Sequence, residues 1–490
     1  MRYLTISAVC LLMAALHMEL RAQGQQGSGN PYSAYGFGTL LNTPQVEQAA
    51  MGGVGIALAD AYGLNMANPA SYPSLVLTNF QTAAAIRFLR FDSEDRSVNG
   101  NRLDLLGFSV GVPFGRGRWG MSLGITPMSD VGYRISDTKQ VAEGPVTFEY
   151  LGNGGLNRGY IGLGRTLWQS NDTLNKGTKV SLGIDLNYVF GSIEEGRKAF
   201  YPAGAGYYNT RVTSDLALNG PVIRVGLQWA GDLMGKVRMV ERRQARIKQL
   251  TAVDQRKEQE WLDAGKDPAE RRAVHLPQRE AEAWRFRVGA TVEIPSDLRA
   301  EYDITATNFS LSNAGVEITL DTAWAVQGSS GHVTLPLQWG LGFAMYNSRW
   351  TFTGEYKQRD WSDLGIDVEG YEQRSVLRTR GTAAVGVSYQ PSGNGNGSFV
   401  ERVTYRAGAR YTEDYLVVAG TPLNEVGLSL GFSLPVMFNT TRSRLTFGAE
   451  LGERGTSTDG NIRERFAAVL IGISITPDFR EQWFRKRRID

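Results

Sequence analysis

Apolar residues recur at every second position through most of this chain. Val180, Leu182, Ile184, Leu186, Tyr188 and Phe190 fall on one parity, with Lys179, Ser181, Gly183, Asp185 and Asn187 on the other. The same alternation runs through Trp119–Ile125, Trp350–Tyr356, Val426–Leu434, Leu445–Leu451 and Ala467–Ile475. Period two places each set on one face of a β-strand. A soluble sandwich also alternates, but its strands commonly run to only about five or six residues. Here the segments reach the roughly 9–11 residues that a tilted strand needs to cross a bilayer. The opposite face is Gly, Ser and Thr with isolated charges, as a polar barrel interior requires. The pattern predicts an all-β protein, a transmembrane antiparallel β-barrel.

Counting from Phe80, strands are expected near 80–91, 101–114, 118–134, 145–168, 177–191, 207–230, 284–301, 315–345, 349–361, 374–391, 398–413, 422–437, 441–455 and 463–476, about fourteen in all. If the barrel is entered from the periplasm, the turns at Gly115–Arg118, Tyr346–Arg349, Ser392–Gly397 and Asn439–Arg442 face that side, where turns are short. Trp119, Trp168, Trp229, Trp284, Trp339 and Trp350 are then expected at that same rim, as an aromatic girdle.

Four segments depart from the alternation. Arg2 followed by the apolar run Leu4–Leu16 and a polar stretch to Ala22 has the order of a secretory signal, residues 1–22. Residues 23–79 are Gly- and Asn-rich, with a short helix expected near Gln45–Met51. Tyr32, Tyr35, Phe37, Met51, Ile56 and Tyr62 make them too apolar for a disordered tail, so they are expected to form a plug inside the barrel spanning 80–476. Residues 236–283 carry 12 Lys/Arg and 9 Asp/Glu in 48 positions, a charged helical pattern broken by Pro268 and Pro277. The strand count makes this insertion periplasmic, where it is either a solvated hairpin or a docking element for a periplasmic protein. Residues 477–490 form a basic tail.

Composition narrows the chemistry. The net charge of +3 disfavours nucleic acid as a partner, and Cys10 is the sole cysteine. With only His17, His275 and His332, neither a metal site nor a cofactor is expected, and no catalytic residue is assigned. The pattern G-x-S-x-G occurs at Gly107–Gly111, Gly120–Gly124 and Gly427–Gly431, but each copy lies mid-strand. A nucleophile elbow needs a strand-to-helix turn. The 58 glycines exceed the usual ~7%.

The stretch Gly52-Gly53-Val54-Gly55-Ile56-Ala57 running into Asn68-Pro69-Ala70-Ser71-Tyr72 resembles the FadL family of hydrophobic-compound transporters, in which an Asn-Pro-Ala box ends the plug just before the first strand. Thr334-Leu335-Pro336, Trp361-Ser362 and Gly452–Thr456 extend the resemblance to a divergent branch. It implies a monomeric fourteen-stranded barrel in the outer membrane of a Gram-negative bacterium. There, among outer-membrane lipids, a hydrophobic small molecule or lipid is captured, passes the hatch residues Asn68, Pro69 and Ala70, and leaves sideways at a strand kink. Gly152, Gly154 and Gly155 are the candidate kink, since neighbouring glycines in a strand mark bulges. The insertion at 236–283 is extra to that family picture. It keeps open a second role, as a structural or shuttle component of an outer-membrane protein-secretion apparatus. An exported soluble glycan-binding β protein is a third possibility.

Overall fold

The computed structural model describes residues 30–476, except 42–44, 142–143, 171–177, 203–205, 234–235, 265–283, 313, 374, 393–397, 437–441 and 459. The signal segment, the basic tail and the second part of the insertion lie outside the described residues.

A two-residue strand, β1 (Thr39–Leu40), belongs to the plug, or hatch. The wall has fourteen staves. Staves one and two are β2 (Asn79–Asp92) and β3 (Ser97–Phe114), and the third is divided into β4 (Trp119–Pro127) and β5 (Ser129–Val141). Then follow β6 (Gly144–Gln169), β7 (Lys179–Phe200) and β8 (Asn209–Asp232). The seventh stave is β9 (Arg285–Glu293) with β10 (Ser296–Leu311), the eighth β11 (Glu317–Leu335) with β12 (Gln338–Tyr346). The ninth is β13 (Trp350–Asp360) with β14 (Gly365–Val368), the tenth β15 (Val376–Leu377) with β16 (Thr379–Tyr389). The last four are β17 (Thr404–Val418), β18 (Thr421–Pro435), β19 (Arg444–Arg454) and β20 (Arg463–Ile475). All pairings are antiparallel, and β2 pairs with β20 from Phe80↔Ile475 to Asp92↔Arg463, closing the cylinder.

The wall inverts the burial rule of a water-soluble protein. Along β7, Leu182, Ile184, Leu186 and Tyr188 point outward and are exposed, Leu186 at 53%. Between them Ser181, Asp185 and Asn187 point inward and are buried. Exposed apolar positions continue around the cylinder, through Ile223 and Leu227, Leu341 and Phe343, Leu428 and Leu430, Ile471 and Ile473, and Phe108. Only hydrocarbon makes such a belt stable, and closure satisfies the backbone within it. None of the described helices is long and apolar enough to cross a membrane.

Trp119, Trp168, Trp229, Trp284 and Trp350 lie by the rim that carries the turns at 115–118 and 347–349, here the lower rim. Trp339 does not join them. It is paired with Gln358 and Val292, well up β12, and its ring lies 5.7 Å from Tyr356. It therefore marks the upper edge of the belt with Tyr188 and Tyr411. Simple proximity to a turn in sequence misplaced it, because β12 runs nine residues before reaching that turn.

Between β8 and β9 hangs α2 (Lys236–Asp263), a 28-residue helix whose described side chains are mostly exposed, with Arg256 and Glu260 paired one turn apart. The hatch contains α1 (Val46–Ala49), shorter than the Gln45–Met51 span expected because Gly52 and Gly53 take positive φ and end it.

Candidate functional site

The Asn-Pro-Ala box sits against the inner wall. Asn68 is fully buried; its Oδ1 accepts from the Ala70 N–H at 3.0 Å, capping the 3₁₀ turn Pro69–Ser74, with Pro69 opening that turn. Its Nδ2 donates to Ile56 O at 2.9 Å in the hatch and to Leu227 O at 3.2 Å and Ala290 O at 3.4 Å in the wall. One amide thus ties two parts of the hatch to staves six and seven.

Directly beneath the box the wall positions are glycines. A Cβ on Gly226 would lie 2.1 Å from Asn68 Oδ1, one on Gly183 2.3 Å from the Pro69 carbonyl carbon, and one on Gly164 2.5 Å from Pro69 O. Bare inner-wall glycines recur round the cylinder at the hatch: Gly289 faces Ile56, Gly408 faces Met51 and Gly431 faces Ala50. Much of the glycine excess therefore serves close approach of plug to wall. Around this seat Tyr72 donates to Asp185 at 2.9 Å, and Arg224 donates to both Asp185 (2.6 Å) and Met66 O (2.9 Å). Glu355 accepts from the Gly55 and Ile56 N–H groups at 2.6 and 2.9 Å. Asp60 pairs with Arg444 at 2.6 Å. Burial pushes the Asp60 carboxyl up, but the Arg444 and Arg406 charges and the Tyr62 N–H outweigh it and leave it below its ordinary value.

The wall is interrupted in stave three. β4 pairs with β3 from Phe114↔Trp119 up to Phe108↔Ile125, and there the partnership ends at Pro127–Met128. Above that point β5 keeps β6 on one side, while its other edge is taken by the hatch: Thr39↔Asp130, Leu40↔Ser129, and Asn30 N to Gly132 O at 3.1 Å. The upper half of β3, residues 97–107, keeps β2 alone as its strand neighbour. Leu103 and Leu105 point outward beside this break, 57% and 69% exposed.

Gly152, Gly154 and Gly155 lie not in the interrupted stave but in the next one, where β6 runs through without a gap. Gly154 and Gly155 have φ of 115° and 136°. A Cβ on Gly155 would meet Ser129 O at 2.4 Å, so these glycines let the displaced β5 lie close. The sequence signal for the break itself is Pro127, which lacks the N–H a ladder needs. Pro295 and Pro336 mark the divisions of staves seven and eight in the same way, but there both neighbours remain paired across the bend.

Inside the break lies a cavity of about 190 Å³ whose lining includes Leu40, Leu41, Pro127 and Met128 on one side and Arg158, Arg224 and Arg359 on the other. A second of about 50 Å³, touching Leu40, Leu41, Arg87 and Arg102, sits behind β3. The arginines are paired across the interior: Glu293 takes Arg158 at 3.0 Å and also Arg359, joining staves four, seven and nine. Arg410 bridges Glu425 (2.6 Å) and Glu450. Above, Tyr32 and Phe37 of the hatch pack with Leu218, Leu298, Leu335, Trp361 and Tyr415 into an apolar cluster. Trp361, in the 3₁₀ turn between β13 and β14, stands 5.8 Å from Phe37 and 5.1 Å from Tyr415. The serines of the G-x-S-x-G patterns are buried wall residues; Ser122 bonds Tyr160 at 3.0 Å and Ser429 accepts from Gly52 N at 2.8 Å.

A closed fourteen-stave cylinder with an apolar belt, a charged interior and an N-terminal hatch is an outer-membrane β-barrel with a FadL-like fold. The BamG family model matches residues 5–281 and 272–490, nearly the whole chain, and the chain belongs to the BamG family. No curated protein matches it by sequence. Among solved structures it is similar to the Ralstonia pickettii toluene transporter TbuX, at 14% identity over 89% of this chain and 99% of that one, with a TM-score of 0.51. The CymD monoaromatic hydrocarbon channel (14% identity, 91% and 99% covered, TM-score 0.48) and a Pseudomonas aeruginosa FadL homologue (12%, 90% and 99%, 0.49) also align. At 14% identity the property shared with TbuX is the fold.

Proposed function

We propose that this barrel is a passive outer-membrane passage for hydrophobic molecules, of the long-chain fatty acid or aromatic hydrocarbon type, which enter the barrel and leave sideways at stave three. The observation that carries this is the break at Pro127–Met128. It lies within reach of the apolar belt, the hatch residues Thr39–Leu41 stand directly behind it, and the 190 Å³ cavity opens against its inner side. A greasy solute leaving through such a gap avoids crossing water, which is the costly step for it. Asn68, Pro69 and Ala70 act as the fixed end of the hatch about which that motion takes place, and the barrel works as a monomer with no catalytic step.

The test is uptake of a radiolabelled fatty acid and of toluene by cells carrying or lacking the gene. Equal uptake of both compounds in both strains would reject the proposal. The exposed helix α2 favours a second reading, attachment to a periplasmic protein as part of a secretion apparatus. Crosslinking and purification would separate the two, since the passage is complete in one chain whereas the secretion role requires a stoichiometric partner.

A further inference from the structure

The break in stave three is spanned by a chain of alternating charges. On β3, Arg102 shares the inward parity of Asp104 and the buried Leu106. On β5, Asp130 has the parity opposite to the buried Val131 and Tyr133, so its carboxylate faces out of the displaced strand toward β3. The two meet across the gap, Arg102 Nη1 to Asp130 Oδ2 at 2.5 Å. Behind them Arg102 pairs with Asp104 at 2.6 Å, and Asp104 with Arg87 of β2 at 2.8 Å. No ladder joins β3 to β5, so this ion pair is a direct side-chain link between the separated edges.

From this geometry we infer that Arg102 and Asp130 form a clasp that holds the side opening shut, and that its release sets the width of the gap. The inference rests on the proposed sideways passage for its biological meaning, but not for its physical test. Arg102 is 12% and Asp104 8% exposed, so the guanidinium is anchored on its own strand; Asp130, at 33%, is the half that can leave. Poorly hydrated surroundings strengthen the attraction relative to an ion pair on a wet surface, yet Asp130 is open enough for water or salt to compete. The clasp crosses just where Thr39 pairs with Asp130, so opening it also frees the hatch strand to move.

The test uses two cysteines, Leu103→Cys on β3 and Ser136→Cys on β5, in a chain whose full sequence holds one other cysteine, Cys10 in the expected signal segment. Spin labels at these sites report the gap as a distance distribution in detergent or nanodiscs. The clasp predicts a narrow distribution that broadens and shifts outward in both Arg102→Gln and Asp130→Asn, and that Arg102→Lys largely restores. Uptake of a labelled fatty acid should rise severalfold in the two clasp-breaking variants. Wild-type distances in both would overturn the inference. Wider distances with unchanged uptake would uphold the clasp and reject sideways passage. Heat-modifiable migration identifies assembled barrel; if Arg102→Gln does not assemble, Asp130→Asn alone decides, being the milder change at the more exposed partner.

Discussion

Replacing Asn68 with Ala should loosen the hatch while leaving the cylinder standing. The side chain caps Ala70, a contribution of about 1 kcal/mol at such positions, and supplies buried donors to Ile56 O and Leu227 O, about 1–1.5 kcal/mol more. None of these contacts belongs to the strand ladders, so the loss falls on docking of the hatch. About 2–2.5 kcal/mol corresponds to a roughly 30- to 70-fold shift toward the undocked hatch. Hydrogen exchange read by mass spectrometry on peptides covering 45–75 measures that shift directly, with wall peptides such as 180–190 as internal reference. Asn68→Asp sharpens the test. It keeps the capping oxygen but loses the donors and sets a negative charge among carbonyls, so it should protect the hatch no better than Ala. If Asp behaves like wild type, the residue is only a cap and the anchoring argument fails.

Gly183→Val should undock the same segment, because its Cβ would fall 2.3 Å from backbone that cannot swing aside; overpacking of this kind costs about 1–3 kcal/mol, read by exchange of the same peptides. Leu186→Arg on the outer belt should cost about 2–4 kcal/mol and show as reduced heat-modifiable barrel, whereas Leu186→Phe should not. The Asp60–Arg444 tie has a definite pH sign. A carboxyl depressed in the folded state adds stability at pH above its ordinary 3.8 and loses it as pH falls through its lower folded value, so Arg444→Gln should abolish any acid-induced rise in hatch exchange below that point. Deleting 236–283 should leave assembly intact, and protease added to whole cells should spare the helix until the outer membrane is permeabilised.

The belt was legible because membrane and lumen impose opposite chemistry on alternate residues, and Leu182–Tyr188 shows both in seven positions. The strand count followed, since each stave carries its own signal. The break was harder to see. Alternation through Leu123 and Ile125 simply stops at Pro127, and the glycines at 152–155 advertise themselves more loudly although they lie in the neighbouring stave. The ion pairs were illegible for a different reason. Parity shows that Arg158, Glu293 and Arg359 point inward, but they meet across the lumen from three non-adjacent staves, and no local pattern records that. The inner glycines were legible as an inner face but not as the seat of particular hatch residues, because those contacts join parts of the chain far apart in sequence.

The ring of bare glycine positions also constrains the order of assembly. With Pro69, Ile56, Met51 and Ala50 lying where inner Cβ atoms would otherwise stand, a finished cylinder has no clearance through which the hatch could later be threaded into register. The wall must grow around a hatch that is already inside, so the segment made first acts as a former for everything made after it. The last join is then the one between the first and last strands, Phe80 to Asp92 against Arg463 to Ile475. A circular permutant that begins at β11 and ends at β10, with the original termini linked, would deliver the same contacts with the former arriving midway. It should assemble more slowly than the natural chain, although the finished molecule would be the same.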